Sequence, residues 1–357
     1  MDTPATRPAH LPAAPMLEHG GRLRAAAAHY GIPAAAWLDL STGINPDPWP
    51  VPPLPASVWQ RLPEDDDGLE AAAASLYGNP GLLPVAGSQA AIQLLPALLP
   101  RAAVACLSPL YAEHPHSWRN AGHRVRLLGG SLPRALTAAT PYVLLCNPNN
   151  PTATTHTRAA LLDAAGELNR RGGWLIVDEA FIDPTPADSV TDLAGTAAAP
   201  RLIVLRSLGK FFGLAGARVG FVFAAADLLR RMRAELGPWT VSGPARSVAR
   251  RALADLDWQQ AARHRLLAAG ERLRGLLAAH GEVRGTALFA TLCRADSAQI
   301  HDHLARRGIL TRLFPEHGLL RFGLPGSEDD WQRLHAALQS LPQQAAVTRP
   351  GAMHADA

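Results

Sequence analysis

The chain has 357 residues, 48% of them hydrophobic and 18% charged, with a formal net charge of +4. That length suffices for two domains with sizeable cores. Its 33 arginines are scattered rather than clustered, which argues against a nucleic-acid surface, and no apolar run reaches membrane-spanning length.

In chain order, residues 1–16 are rich in proline and alanine, lack the apolar run of a signal peptide, and are expected to be a flexible arm. His19-Gly-Gly21 precedes a helical stretch over about 22–29, and Trp37–Leu40 reads as a short extended piece. Ser41-Thr-Gly-Ile-Asn-Pro46 leads into a proline-rich linker through Pro63. Asp67-Gly68 opens a helix toward Tyr77, and Gly87-Ser88-Gln89 begins another that ends before Pro100. Apolar runs predict strands at 102–107, 123–128, 142–146, 173–177, 202–205 and 219–224, with a helix over 156–170. Strands alternating with helices predict an α/β layer with a mostly parallel sheet. Beyond Pro238 the expectation is a helical region over 245–280, a strand over 286–293 and a helix over 297–307. Two short strands around Leu310 and Leu320 and a helix over 327–340 complete it. The domains expected are an arm and start of a small domain (1–45), a large domain (46–237), a small α+β domain (238–342) and a disordered tail (343–357). Cys106, Cys146 and Cys293 lie far apart in strand-like stretches without metal-ligand spacing. They are expected to be buried thiols of a cytoplasmic protein.

Lys210 is the only lysine in the chain. Arginine can replace lysine as a charge or a bidentate donor, but it cannot form a Schiff base. A lysine retained in Ser207-Leu-Gly-Lys210 therefore points to covalent amine chemistry, against the alternative of chance survival on the surface. Ligands in open α/β sheets bind beyond the carboxyl ends of the strands. Tyr111, Asn150, Asp178, Ser207 and Lys210 all fall at such ends, and Gly87-Ser88-Gln89 is a helix start suited to a phosphate. An amine, a carboxylate, an aromatic face and a phosphate cradle together suit pyridoxal phosphate. Singly, each is ordinary: Asp178 is equally a metal ligand or helix cap, Tyr111 a packed loop aromatic, Asn150 a turn residue and Ser88 a serine cap.

Ser108-Pro-x-Tyr111, Asn147-Pro-Asn-Asn-Pro-Thr152, Asp178-Glu-Ala-Phe181 and Ser207-x-x-Lys210 with Arg218 resemble fold-type I pyridoxal-phosphate enzymes of the histidinol-phosphate aminotransferase branch. Within that branch, His19-Gly-Gly21 and Asp39-Leu-Ser-Thr-Gly-Ile-Asn-Pro46 are similar to the threonine-phosphate decarboxylases of cobalamin biosynthesis, and the resemblance runs over residues 17–340. It implies that Lys210 forms the imine with the cofactor, Asp178 pairs with the pyridine nitrogen, Asn150 bonds the ring oxygen and Tyr111 stacks on the ring. Gly87, Ser88, Gln89, Ser207 and Arg218 would surround the cofactor phosphate. His19, Gly20, Asn150, Arg312 and Arg321 would hold a phosphorylated amino acid; for the two arginines the alternative is ordinary surface placement. The implied reaction is decarboxylation of L-threonine O-3-phosphate to (R)-1-aminopropan-2-yl phosphate by a homodimer, with no metal. The alternatives are an aminotransferase acting on histidinol phosphate or aromatic amino acids, or a non-catalytic cofactor-binding protein. Four positions depart from the family pattern. Phe181 replaces a tyrosine of the aminotransferases, Leu62 a tyrosine that reaches the partner subunit, Gly43 a substrate-binding asparagine, and Ala153 the usual glycine after Asn-Pro-Thr, a change expected to be tolerated.

Overall fold

A computed structural model of the chain describes residues 19–341. Thirteen strands appear in chain order: β1 (Leu38–Asp39), β2 (Leu82–Val85), β3 (Ala103–Ser108), β4 (Arg124–Gly129), β5 (Tyr142–Cys146), β6 (Trp174–Asp178), β7 (Leu202–Ser207), β8 (Gly220–Phe223), β9 (Glu282–Gly285), β10 (Phe289–Cys293), β11 (Ile309–Leu310), β12 (Arg312–Phe314) and β13 (Leu319–Gly323). Seven form one sheet in the order β2-β8-β7-β6-β5-β3-β4. All neighbours from β7 to β4 pair in parallel, while β8 runs against both β7 and β2. The fold class is therefore the α/β class expected for a fold-type I enzyme.

The inner strands β3, β5 and β6 read as apolar runs because both faces of the sheet are covered there, whereas the edge strand β4 is largely exposed. Val104 and Cys106 of β3 enter one core layer, and Ala105 and Leu107 enter the other. The same alternation puts Tyr142, Leu144 and Cys146 of β5 on one side and Val143 and Leu145 on the other. Each fully buried side chain of this kind stabilises the fold by about 1.5–3 kcal/mol.

A second, antiparallel sheet has the order β12-β13-β10-β9 and packs against the helix Leu256–Ala278. The start of the described chain joins this unit. β1 pairs in parallel with β11, and Gly323 N–H donates to Leu40 O at 2.7 Å. No helix among the described residues is long and apolar enough to cross a membrane.

Several expectations change. β2 was not anticipated; its Pro84 argues against a central strand, and it lies at the sheet edge, where a missing N–H is tolerated. The expected helix over 245–280 is two helices, Gly243–Ala254 and Leu256–Ala278, divided at Asp255. The Asp255 carboxylate accepts the Trp258 N–H and so caps the second helix. The expected strand over 286–293 begins only at Phe289, because Thr286–Leu288 form the turn from β9, with Thr286 Oγ1 accepting from Leu288 and Phe289 N–H. Cys106 and Cys146 are buried as expected, but Cys293 ends β10 exposed. The arm over 1–16 and the tail over 343–357 lie outside the described residues.

Candidate active site

The loop after β7 is held rigidly. Asn45 N–H donates to Lys210 O at 3.0 Å, Asn45 Nδ2 to Phe211 O at 2.9 Å, and Trp49 N–H to Phe212 O at 2.9 Å. Phe211 and Phe212 are fully buried, and Phe212 stacks on Trp258. The Ser41–Pro46 motif thus latches the lysine loop to the core and leaves the Lys210 side chain facing a cavity of about 520 Å³. Burial lowers the Lys210 amine to about 8, with the Arg321 charge adding to the effect. The unprotonated, nucleophilic form is accordingly a minor species near neutrality, but far more abundant than for an ordinary lysine.

Asp178 ends β6 at the same cavity. Its Oδ1 accepts the Ala180 N–H at 3.0 Å, and its Oδ2 lies 2.8 Å from His114 Nε2. His114 is 1% exposed and comes from the helix Glu113–Asn120, which the sequence reading did not assign. It is the main functional candidate missed, and an apolar-period search passes over it because that helix carries Pro115 and mostly polar residues. The Cys146 sulfur lies within 4.8 Å of both the His114 nitrogen and the Asp178 carboxylate. Burial and the Asp178 charge push that thiol well above its ordinary value, so it is neutral. Beneath the site, Arg206 is buried against Glu179 and Asp183 and ties the ends of β6 and β7 together.

One wall begins at Tyr111, past β3. Its hydroxyl donates to Gln89 Oε1 at 3.3 Å, and Gln89 Nε2 donates to Glu113 Oε2 at 2.9 Å. Burial, with the neighbouring Glu113, pushes the Tyr111 phenol up to about 12. His19 reaches the same carboxylate, its Nε2 2.7 Å from Glu113 Oε1. Gly20 lines the cavity and packs on Ser41, where a Cβ would lie 2.3 Å from the carbonyl oxygen.

At the base, the helix Ser88–Leu94 starts beside Ser207 and Arg218. Its N-cap is Gly87 rather than a serine, and no side chain caps it. Arg218 adopts a left-handed backbone, φ 52° and ψ 57°, uncommon for arginine and costing on the order of 1 kcal/mol. Its guanidinium occupies the space a side chain at Gly87 would take; a Cβ there would lie 2.5 Å from Nη2. Gly87 does not line the cavity but makes room for the group that does.

The opposite wall comes from the small sheet. Arg312 and Arg321 are directly paired on β12 and β13, so both side chains project from one face. Arg321 is buried, donating from Nη1 to Asn150 Oδ1 at 2.5 Å and from Nη2 to Ser41 O at 2.7 Å. Its Nε has no partner, and burial lowers the guanidinium to about 10. The structure therefore gathers Lys210, Asp178, Asn150, Tyr111, Ser88, Gln89, Ser207, Arg218, His19, Gly20, Arg312 and Arg321 around one cavity. Arg321, at least, is not a surface arginine.

These residues fit pyridoxal phosphate. A lone amine whose proton is held less tightly than usual, a carboxylate lining the same cavity, a guanidinium at a helix start and an unpartnered buried Arg321 Nε form the donor set that a phosphorylated pyridine aldehyde and an acidic substrate need.

Comparison with known proteins agrees. Residues 61–337 match the family model for aminotransferase class I and II. A threonine-phosphate decarboxylase from Pseudomonas aeruginosa is 54% identical, over 92% of this chain and 99% of its own length. One from Sinorhizobium sp. is 42% identical, over 90% and 98%. Among solved structures, the histidinol-phosphate aminotransferase from Sinorhizobium meliloti in complex with pyridoxal-5'-phosphate aligns with a TM-score of 0.76 at 20% identity, covering 91% of this chain and 94% of that one. The L-threonine-O-3-phosphate decarboxylase from Porphyromonas gingivalis aligns at 0.67 and 20% identity, covering 84% and 98%.

Proposed function

The chain belongs to the aminotransferase class I and II family, and on that premise we propose that it is a pyridoxal-phosphate-dependent decarboxylase of L-threonine O-3-phosphate. The observation that carries this reading is the near-full-length identity with the Pseudomonas decarboxylase. The product would be (R)-1-aminopropan-2-yl phosphate, an aminoalcohol precursor in cobalamin biosynthesis.

When bound, pyridoxal phosphate supplies an aldehyde for amines and a protonated ring that accepts the electron pair left by a departing carboxylate. Lys210 would be the amine that holds it, and Asp178, oriented by His114, would pair with the ring nitrogen. Arg218, Ser207 and the N–H groups of Ser88 and Gln89 would neutralise its phosphate, with Tyr111 against the ring. Asn150, whose side chain is engaged by Arg321, would bond the ring oxygen and lie close to substrate.

The unpartnered Nε of Arg321 would meet the substrate carboxylate, with Arg312 beside it for the distal phosphate. His19 and Gly20 line the mouth. Because His19 is paired with Glu113, it reaches the substrate only by exchanging that carboxylate for the phosphate. The Lys210 amine, which faces the cavity with a lowered proton affinity, would deliver the proton that replaces the carboxylate.

Three free cysteines fit a reducing, cytoplasmic setting. A second copy of the chain is the partner best suited to the exposed Trp59, Leu62 and Trp239.

The test is carbon dioxide release from L-threonine O-3-phosphate with pyridoxal phosphate and no keto acid. Release that disappears in Lys210→Ala supports the reading. Amino transfer to a keto acid without carbon dioxide release would replace it with the aminotransferase alternative.

A further inference from the structure

Gly43 stands where no side chain fits. A Cβ there would lie 2.8 Å from Phe181 Cε1 and 3.2 Å from Phe289 Cδ1. The two rings it admits meet edge to face with centroids 5.0 Å apart, a favoured aromatic arrangement. Phe181 carries the Lys210 amine 5.5 Å from its ring centre, and Phe289 carries the Arg321 guanidinium at 5.4 Å. Lys210, Phe181, Phe289 and Arg321 thus form one continuous row from the loop after β7 to β13, crossing from the large sheet to the small one. Both rings are buried, so neither can swing aside without displacing packed neighbours.

We propose that this ring pair, admitted by Gly43, is the spacer that fixes the Lys210 amine relative to the Arg321 guanidinium and so selects the carboxylate, rather than the hydrogen, as the group lost from the substrate's α-carbon. The inference rests on the proposed decarboxylation. Arg321 would hold the carboxylate, and Lys210 marks where the substrate's amine reacts; their separation and angle decide which α-carbon bond is aligned for cleavage. In decarboxylation the bond to the carboxylate breaks, carbon dioxide departs, the electron pair stays behind and a proton takes the vacated position. In the competing event the bond to hydrogen breaks. In net terms the amine nitrogen, two electrons and the proton would pass to the cofactor's aldehyde carbon, whose oxygen leaves as water, and water would supply the oxygen with which the substrate departs as a keto acid. Phe181 and Phe289 act through Lys210 and Arg321, so they are positioning residues.

A methyl group at position 43 must gain about 0.6 Å from Phe181 to reach ordinary contact. Misplacement of about 1 Å can cost about 100-fold in an aligned reaction, so roughly a tenfold effect is expected. The experiment measures carbon dioxide and keto acid formed from L-threonine O-3-phosphate by the wild-type, Gly43→Ala and Phe181→Leu holoenzymes, with pyridoxal phosphate replenished. The ratio of the two products should fall about tenfold in both variants. Phe181→Leu adds no volume and serves if Gly43→Ala does not fold. Because Lys210 is the only lysine, amine labelling of the cofactor-free protein, read by mass spectrometry on its peptide, reports its titration alone. The midpoint, near 8 in the wild type, should move in both variants. An unchanged product ratio in a folded variant overturns the proposal. A wild type that releases no carbon dioxide overturns the proposed function instead; the labelling midpoint then decides the spacer alone, and an unmoved midpoint removes it.

Discussion

Replacing Lys210 with methionine should make the cofactor-free protein more stable while abolishing its chemistry. The folded value of about 8 stands below 10.5 for an ordinary lysine, with burial as the main cause. Between those values the unfolded chain binds a proton that the folded chain does not, so stability rises with pH from about 8 to about 10.5 and is lowest below 8. Each unit is worth about 1.36 kcal/mol, which bounds the cost of holding the charged amine at about 3 kcal/mol. The amine faces a cavity open to water, and screening reduces the expected gain to about 1–3 kcal/mol. Methionine keeps the length and suits contact with Phe181. The assay is urea unfolding of both cofactor-free proteins at about pH 7 and again at about pH 10.5. Lys210→Met should be the more stable at the lower pH, and the two should converge at the higher. A variant equal to or weaker than wild type at the lower pH would refute the account of a strained, destabilising amine.

Arg218→Ala should weaken pyridoxal phosphate binding about 10- to 100-fold in a fluorescence titration, since one charge-assisted contact is worth about 1.5–3 kcal/mol; unchanged affinity would remove Arg218 from the phosphate cradle. His114→Ala leaves the buried Asp178 Oδ2 without its partner and should lower kcat about 10- to 100-fold, with partial recovery in His114→Gln; equal losses in both would mean the ring serves packing alone. Leu62→Glu combined with Trp239→Glu should convert a dimer to a monomer by light scattering, because each exposed apolar side chain gives about 1.5–3 kcal/mol when covered; a monomeric wild type would end the proposed self-association.

The parts of the site legible in the sequence were those tied to strand ends. Asp178 closes an apolar run, Lys210 follows one in a glycine-rich loop, and the sheet's parallel order brings such ends together whatever lies between. His114 and Glu113 were not legible in the same way. They belong to a short helix whose residues are largely polar, and only the folded chain shows that two of them turn inward to Asp178 and His19. Phe289 escaped for a different reason. An apolar residue on a strand announces a core position, and its place between Arg321 and Phe181 follows from how the second sheet docks on the first. Pro84 concealed β2, whereas the division at Asp255 had a readable signal, an aspartate three residues before the Trp258 N–H it caps.

The parallel pairing of Leu38 with Ile309 joins residues about 270 positions apart, and Arg321 then reaches back to the Ser41 carbonyl. During synthesis the strands from β2 to β8 can assemble as soon as they emerge, since all their partners lie within residues 82–223. The cavity wall that carries Arg321 has no such option. Residues 38–42 must wait, unpaired, until nearly the whole chain has left the ribosome, because their partners are among the last made. A chain that stalls before residue 309 would therefore own a finished lysine loop and sheet yet lack the Arg321 wall, so the two sides of the cavity are completed at different times.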